Sequence, residues 1–162
     1  EATLLTQQLA NLLGCPAYLL PSQSIEQSPE SRQRILQLDE VREVTERFAR
    51  LTVALVGIGE LEPSQLLRNS GNYHGEAMLE VLAARGAVGD ICLRYFDAQG
   101  RPVLDDSEET VVAVDLPQLL KIDRVVGLAG GLRKVNAIRG ALQGGYLDVL
   151  VVDLRTALAL VP

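Results

Sequence analysis

The chain has 162 residues, a formal net charge of −6, 48% hydrophobic and 22% charged residues, and only 4% aromatics with no tryptophan. That composition fits one globular domain with a sizeable aliphatic core, of the kind that suits an α/β sheet buried on both faces. The acidic balance argues against this chain itself gripping a nucleic-acid backbone, and no apolar run approaches the roughly 20 residues of a membrane span.

Residues 2–13 place Leu5, Leu9, Leu12 and Leu13 on one helical face, with Gly14 as the stop. A short strand is predicted over Ala17–Leu20, ending at Pro21, followed by a surface loop over residues 22–31. Ser31–Leu38 and Asp39–Arg50 read as helices, the second with Asp39 as N-cap and Val41, Val44 and Phe48 as its apolar stripe. Thr52–Ile58 reads as a buried strand closed by Gly57 and Gly59. Glu62-Pro63-Ser64 starts a short helical turn, residues 69–72 form a turn, and Tyr73–Arg85 is a helix stopped by Gly86.

In the next segment Ile91, Leu93 and Tyr95 alternate with Cys92, Arg94 and Phe96, and Asp97–Gly100 makes a hairpin turn. Residues 105–110 are acidic and expected to be exposed, and Val111–Val114 is a short strand. Asp115 caps a helix with Pro117 in its first turn, where proline is tolerated. Strand, glycine loop, helix and strand then follow from Val125 to Val152, and Asp153 caps a last helix. The expected fold is therefore α/β, a mostly parallel sheet flanked by helices with an inserted β-hairpin, in one domain over residues 1–162.

Ligands of open α/β sheets collect outside the carboxyl ends of the strands. Three glycine loops compete for that place: Gly57-Ile58-Gly59-Glu60, Gly86 to Asp90, and Gly130-Gly131 with Lys134 three residues on. A glycine pair between a strand and a helix N-terminus leaves backbone N–H groups to face an anion, and a lysine adds charge there. Such glycines can also do no more than make a tight turn, with the lysine solvated. Asp90 is either an acceptor for sugar hydroxyls, an ion-pair partner of Lys134, or a turn aspartate bonded to its own backbone. Glu60 is a similar acceptor or simply exposed. His74 is the only histidine, so neither a metal cluster nor a Ser-His-Asp triad is supported, and no cofactor is expected. Arg94 reads as a surface or interface residue. Cys15 and Cys92 read as small core residues of a reducing compartment. No signal peptide is visible and a cytoplasmic location is expected.

The segments VALVGIGELEPSQLL (53–67), GAVGDICLRYFDAQGRPV (86–103) and RVVGLAGGLRKVNAIRGALQGGYLDVLVVD (124–153), in that order, resemble the sugar-binding domain of SorC-family bacterial transcriptional regulators. The resemblance covers essentially the whole chain. It implies a fold related to ribose-5-phosphate isomerase and glucosamine-6-phosphate deaminase. It also implies a sugar or phosphosugar effector that switches operator binding, and assembly as a dimer or tetramer. By the same resemblance Asp90 sits in the effector pocket, Lys134 with Gly130-Gly131 lies near the anionic end of the ligand, and Gly57, Gly59 and Glu60 line the same pocket. Two of the family's parts are not found: the N-terminal helix-turn-helix, through which alone DNA would be contacted, and the first βα unit of the effector domain. The alternative is an isomerase- or deaminase-like enzyme, with Asp90 or Glu60 as general base and Lys134 holding phosphate.

Overall fold

The computed structural model describes residues 2–63, 68–69 and 73–161. Helix α1 (Ala2–Leu13) ends where Gly14 takes φ +64°, a left-handed conformation that favours glycine. Helices α2 (Pro29–Leu36) and α3 (Asp39–Thr45) and a 3₁₀ turn (Glu46–Arg50) lead into strand β1 (Val53–Gly57). Ile58 alone separates β1 from β2 (Gly59–Glu60). Then come α4 (Glu76–Ala84), β3 (Ala87–Ile91), β4 (Arg94–Asp97), the single turn α5 (Leu116–Leu119) and β5 (Arg124–Leu128). A 3₁₀ turn (Leu132–Lys134) opens α6 (Val135–Gln143), and β6 (Val149–Val151) and α7 (Leu154–Leu160) close the described fold.

The strands form two sheets. One is parallel, in the order β1-β5-β6, with Val53 opposite Arg124 and Val126 opposite Val149. The other is antiparallel, in the order β2-β3-β4. Helix α6 joins them: Ala137, Ile138, Gly140 and Ala141 are buried against the hairpin and the main core. The close fit depends on small residues. A Cβ on Gly89 would lie 2.4 Å from the Cβ of Ala137, and one on Gly140 would meet the Asp97 carbonyl oxygen at 2.9 Å. Around this contact Val56, Ile58, Phe96, Leu119 and Val125 are buried, each large side chain contributing about 1.5–3 kcal/mol by leaving water.

The opposite face of the parallel sheet is open. Val53, Leu55, Leu128, Val149 and Val151 alternate with core-facing residues and are exposed, Leu55 by 61%. Parallel sheets are ordinarily covered on both faces. The leucine stripe expected on α1 exists as a face, but Leu5, Leu9, Leu12 and Leu13 are all exposed on it.

Several expectations are corrected. Ala17–Leu20 is irregular, not a strand, and Val111–Val114 makes only one isolated bridge, Val111 with Ile25. Asp39 is the first residue of α3 rather than its N-cap; Leu38 occupies the cap without a side-chain bond, and the helix tightens to 3₁₀ after Thr45. The β3–β4 turn falls at Cys92–Leu93, which both take positive φ (54° and 63°) in a two-residue loop, the geometry of a type I′ turn. The Asp97–Gly100 turn also forms, closed by the Gly100 N–H on the Asp97 carbonyl. Cys15 is exposed, whereas Cys92 packs against the core. Asp115 and Asp153 cap their helices as expected, accepting the N–H groups of Gln118 and Thr156. Ser64 and residues 70–72 lie outside the described residues, so the two turns expected there are not described in full.

Arg94 is buried, only 5% exposed, not a surface residue. Its guanidinium donates to the carbonyls of Val111, Ala113 and Val114 and pairs with Glu109 at 2.5 Å. Glu109, expected in an exposed acidic run, is buried with it and accepts the N–H groups of Thr110 and Val111. The segment 111–114 has almost no sheet partner, so its carbonyls need another donor; Arg94 reaches three of them, and Arg32 Nε shares the Val111 carbonyl at 2.9 Å.

Candidate functional site

A cavity of about 380 Å³ opens at the carboxyl ends of β5 and β6, lined by Glu60, Gly130, Gly131, Leu132, Arg133, Lys134, Asp153 and Arg155. The volume lies in the range of small-molecule sites. Four of the seven residues singled out in the sequence line it: Glu60, Gly130, Gly131 and Lys134. Asp90 and Gly59 lie beside them through strand pairing, with Gly59 opposite Asp90 and Glu60 opposite Gly89. Gly57, at the end of β1, stands in open space and is not among the lining residues.

Asp90 sits within β3 rather than before a strand, 8% exposed. One carboxylate oxygen accepts the Leu93 N–H at 2.9 Å, so this aspartate does close its own turn. The other faces Gly59, where a Cβ would lie 1.9 Å from it. Burial pushes the Asp90 carboxyl up to about 6, only partly offset by the Leu93 N–H and the Lys134 charge. Asp90 and Lys134 thus feel one another, while the Lys134 ammonium itself donates to the Ile58 carbonyl at 2.7 Å. That bond ties the glycine loop to the residue joining β1 and β2.

The glycine loop differs from the expected open anion cradle. The Gly131 N–H is already used, shared between Asp153 Oδ2 at 2.8 Å and Thr156 Oγ1 at 2.9 Å. Asp153 also takes the Thr156 hydroxyl and N–H, and these bonds hold its carboxyl down to about 2. Positive charge at the cavity therefore comes from side chains. Arg133 reaches across to Glu60 at 3.1 Å, and Arg155 stands on the first turn of α7. The sequence reading passed over both arginines. A basic pair (Arg133-Lys134) inside the loop and a basic residue just past the end of β6 were the available signals.

A second cavity, about 690 Å³, is lined by Arg94, Tyr95, Pro102 to Asp106, Glu108, Glu109 and Asp115 to Pro117. Its carboxylates are committed internally: Asp105 to the Ser107 N–H and hydroxyl, Asp106 to Arg32, Glu108 to Arg85, Glu109 to Arg94 and Asp115 to its helix cap. His74 is buried against Tyr95, ring centroids 5.6 Å apart, with its Nε2 unpartnered among the described residues. Burial lowers its pKa. Among the described residues no three His, Cys, Asp or Glu side chains are placed to hold a metal ion, and no helix is long and apolar enough to cross a membrane.

Over residues 1–162 the chain matches the family described as "Putative sugar-binding domain". It is 36% identical over 121 residues to the deoxyribonucleoside regulator of Bacillus subtilis (strain 168), covering 75% of this chain and 38% of that protein. Two solved structures share the fold. The domain titled "Putative sugar-binding domain of transcriptional regulator DeoR from Pseudomonas syringae pv. tomato" is 54% identical, with a TM-score of 0.72, covering 99% of this chain and 57% of that one. The full-length sorbitol operon regulator SorC of Klebsiella pneumoniae is 29% identical, with a TM-score of 0.87, covering 98% and 51%. The chain thus spans between 38% and 57% of the length of these relatives.

Proposed function

The chain belongs to the family of sugar-binding domains found in SorC-type transcriptional regulators, and from that premise we propose that it senses a sugar or phosphosugar and thereby modulates DNA binding by a separate helix-turn-helix module. The observation that carries this is the convergence of Glu60, Gly130, Gly131 and Lys134 on one cavity at the strand ends, beside the buried Asp90. Glu60 supplies an acceptor for hydroxyl groups, Asp90 stands buried beside it, and Lys134 supplies charge for an anionic end. Gly57 and Gly59 shape the approach; Gly59 must lack a side chain for Asp90 to hold its place. The effector acts by binding one quaternary arrangement of a homodimer or homotetramer more tightly than another, since a ligand shifts an equilibrium only by that difference.

A further βα unit and the helix-turn-helix belong, in this proposal, to the longer regulator. The open apolar face of the parallel sheet supports the presence of such a unit, because a βα crossover lays a helix there. The assembled regulator is cytoplasmic and not an enzyme. An isomerase- or deaminase-like activity has one observation in its favour, a carboxyl pushed up to about 6 near a lysine. Against it, a general base must touch the proton it removes, and the Asp90 carboxylate is packed against Gly59. A thermal-shift series with sugars and sugar phosphates tests the proposal, with Asp90→Ala and Lys134→Ala as controls. A shift lost in both variants supports the site. Turnover of any of these compounds would replace the sensor by the enzyme.

A further inference from the structure

The larger cavity, at β4 and the start of α5, shares no lining residue with the one at the strand ends. Its charges do not cancel. Asp106, Glu108 and Glu109 are each paired with an arginine. Asp105 and Asp115 are bonded only to neutral groups, and in both the bonds fall on Oδ1, leaving Oδ2 without a donor among the described residues. Arg85, which also feels the Asp105 charge, is already held in two bonds by Glu108. The inner wall has unmet polar groups as well. Tyr95 lines the cavity and is 4% exposed, yet its hydroxyl has no hydrogen-bond partner among the described residues. Behind its ring, His74 leaves Nε2 equally unpartnered. Native interiors leave few such groups unpaired.

We propose that this cavity is a second binding site, for an organic cation: a protonated amine on an apolar body, its ammonium drawn by the uncompensated charge of Asp105 and Asp115 and accepted by the Tyr95 hydroxyl. A cleft with one excess sign of charge and apolar walls concentrates its field on a ligand of the opposite sign. An ammonium brings donors only, and the lining oxygens left over are acceptors. Val103, Leu104, Leu116 and Pro117 form the apolar part of the wall, where the body of the amine leaves water. The volume, about 690 Å³, suits a small molecule. A phosphate or carboxylate meets like charge here. A bare metal ion lacks its ligands, since among the described residues no three His, Cys, Asp or Glu side chains are placed to hold one. The ligand is therefore of a different chemical class from a sugar or phosphosugar and does not compete with it.

Heteronuclear NMR titration of the chain with 2-phenylethylamine and hexylamine, each against the alcohol of the same skeleton, tests this at about pH 7, where an alkylamine is protonated as lysine is. The amides of Leu104, Asp105 and Leu116 shift saturably, and each amine binds roughly tenfold or more tightly than its alcohol, as expected for one charge-assisted contact. Asp105→Asn/Asp115→Asn keeps both Oδ1 acceptors, and asparagine caps a helix as well as aspartate does. The fold is therefore retained while the gap between amine and alcohol closes to within about threefold. Tyr95→Phe keeps the ring and weakens the amines by about three- to tenfold. Alcohols that bind as tightly as the amines, or shifts confined to the glycine-loop cavity, overturn the proposal. So does an amine preference unchanged in the double asparagine variant, or no saturable shift by about 10 mM, the weak end for so small a ligand. Each of these results leaves the effector site untouched, because the two cavities have no lining residue in common.

Discussion

Replacing Arg94 by methionine is a severe test of how this domain is held together. The side chain is 5% exposed, and its guanidinium ties strand β4 to the carbonyls of Val111, Ala113 and Val114 while pairing with Glu109. Methionine keeps the apolar stem but leaves one buried carboxylate and the Ala113 and Val114 carbonyls without that donor, while the Val111 carbonyl keeps Arg32. Breaking a buried pair from one side costs about 3–5 kcal/mol. In a domain of this size that is roughly 6–20 °C of melting temperature, at about 2–4 °C per kcal/mol. Glu109→Gln in the same background removes the stranded charge and recovers part of the loss, because the amide still accepts from the Thr110 and Val111 N–H groups. Urea unfolding of the wild type, both single variants and the double variant closes the cycle. An Arg94→Met protein within about 1 kcal/mol of wild type would refute the reasoning, as would a double variant less stable than Arg94→Met.

Other outcomes follow from single residues. Gly59→Ala drives a Cβ into Asp90 Oδ1 and is expected to cost about 1–3 kcal/mol; the same change in an Asp90→Ala background costs much less, and equal costs would show that Asp90 is not the obstacle. The folded pKa of Asp90, about 6, exceeds the ordinary aspartate value of 3.8, so the native state binds the extra proton between those values and stability falls as pH rises through that window. The full loss is about 3 kcal/mol, and Asp90→Asn should gain on wild type by that order between pH 4 and pH 7.5 in paired urea titrations. A difference between the two proteins that does not change with pH would contradict this. Burial raises the Cys92 thiol to about 11 while Cys15 is exposed, so the native protein should take one equivalent of iodoacetamide at pH 7.5 and two only when unfolded. Mass spectrometry after a short pulse reads this directly, and rapid native labelling of Cys92 would count against its packing.

Much of the architecture was legible because its signals are local. The apolar runs that became β1, β5 and β6 lie next to glycines, and Gly14, Gly86, Asp115 and Asp153 punctuate helices by mechanisms that need no tertiary partner. What was not legible depends on distant partners. Cys92 and Leu93 carry no turn signature; the turn is fixed by the Asp90 carboxylate on the Leu93 N–H and by the β3–β4 register. Arg94 and Glu109 look like surface charges until segment 111–114 is seen to need donors. The strand expected at Ala17–Leu20 failed because an apolar tetrapeptide says nothing of whether a neighbour exists to pair with it. At the site, Lys134 and the glycines stood out through the loop that contains them. Arg133 and Arg155 belong to the cavity only because β5 and β6 end side by side.

Ile58 stands between the two sheets as their only residue of linkage along β1 and β2, buried and with its carbonyl held by Lys134. In mechanical terms it is a pinned joint. A strand residue advances about 3.3 Å, so a displacement of the hairpin sheet at Gly59 reaches the end of β1 with almost no slack to absorb it. Whatever loosens the ammonium's grip on that carbonyl removes one tie across the joint and leaves α6, packed on both the parallel sheet and the hairpin, to hold the two together.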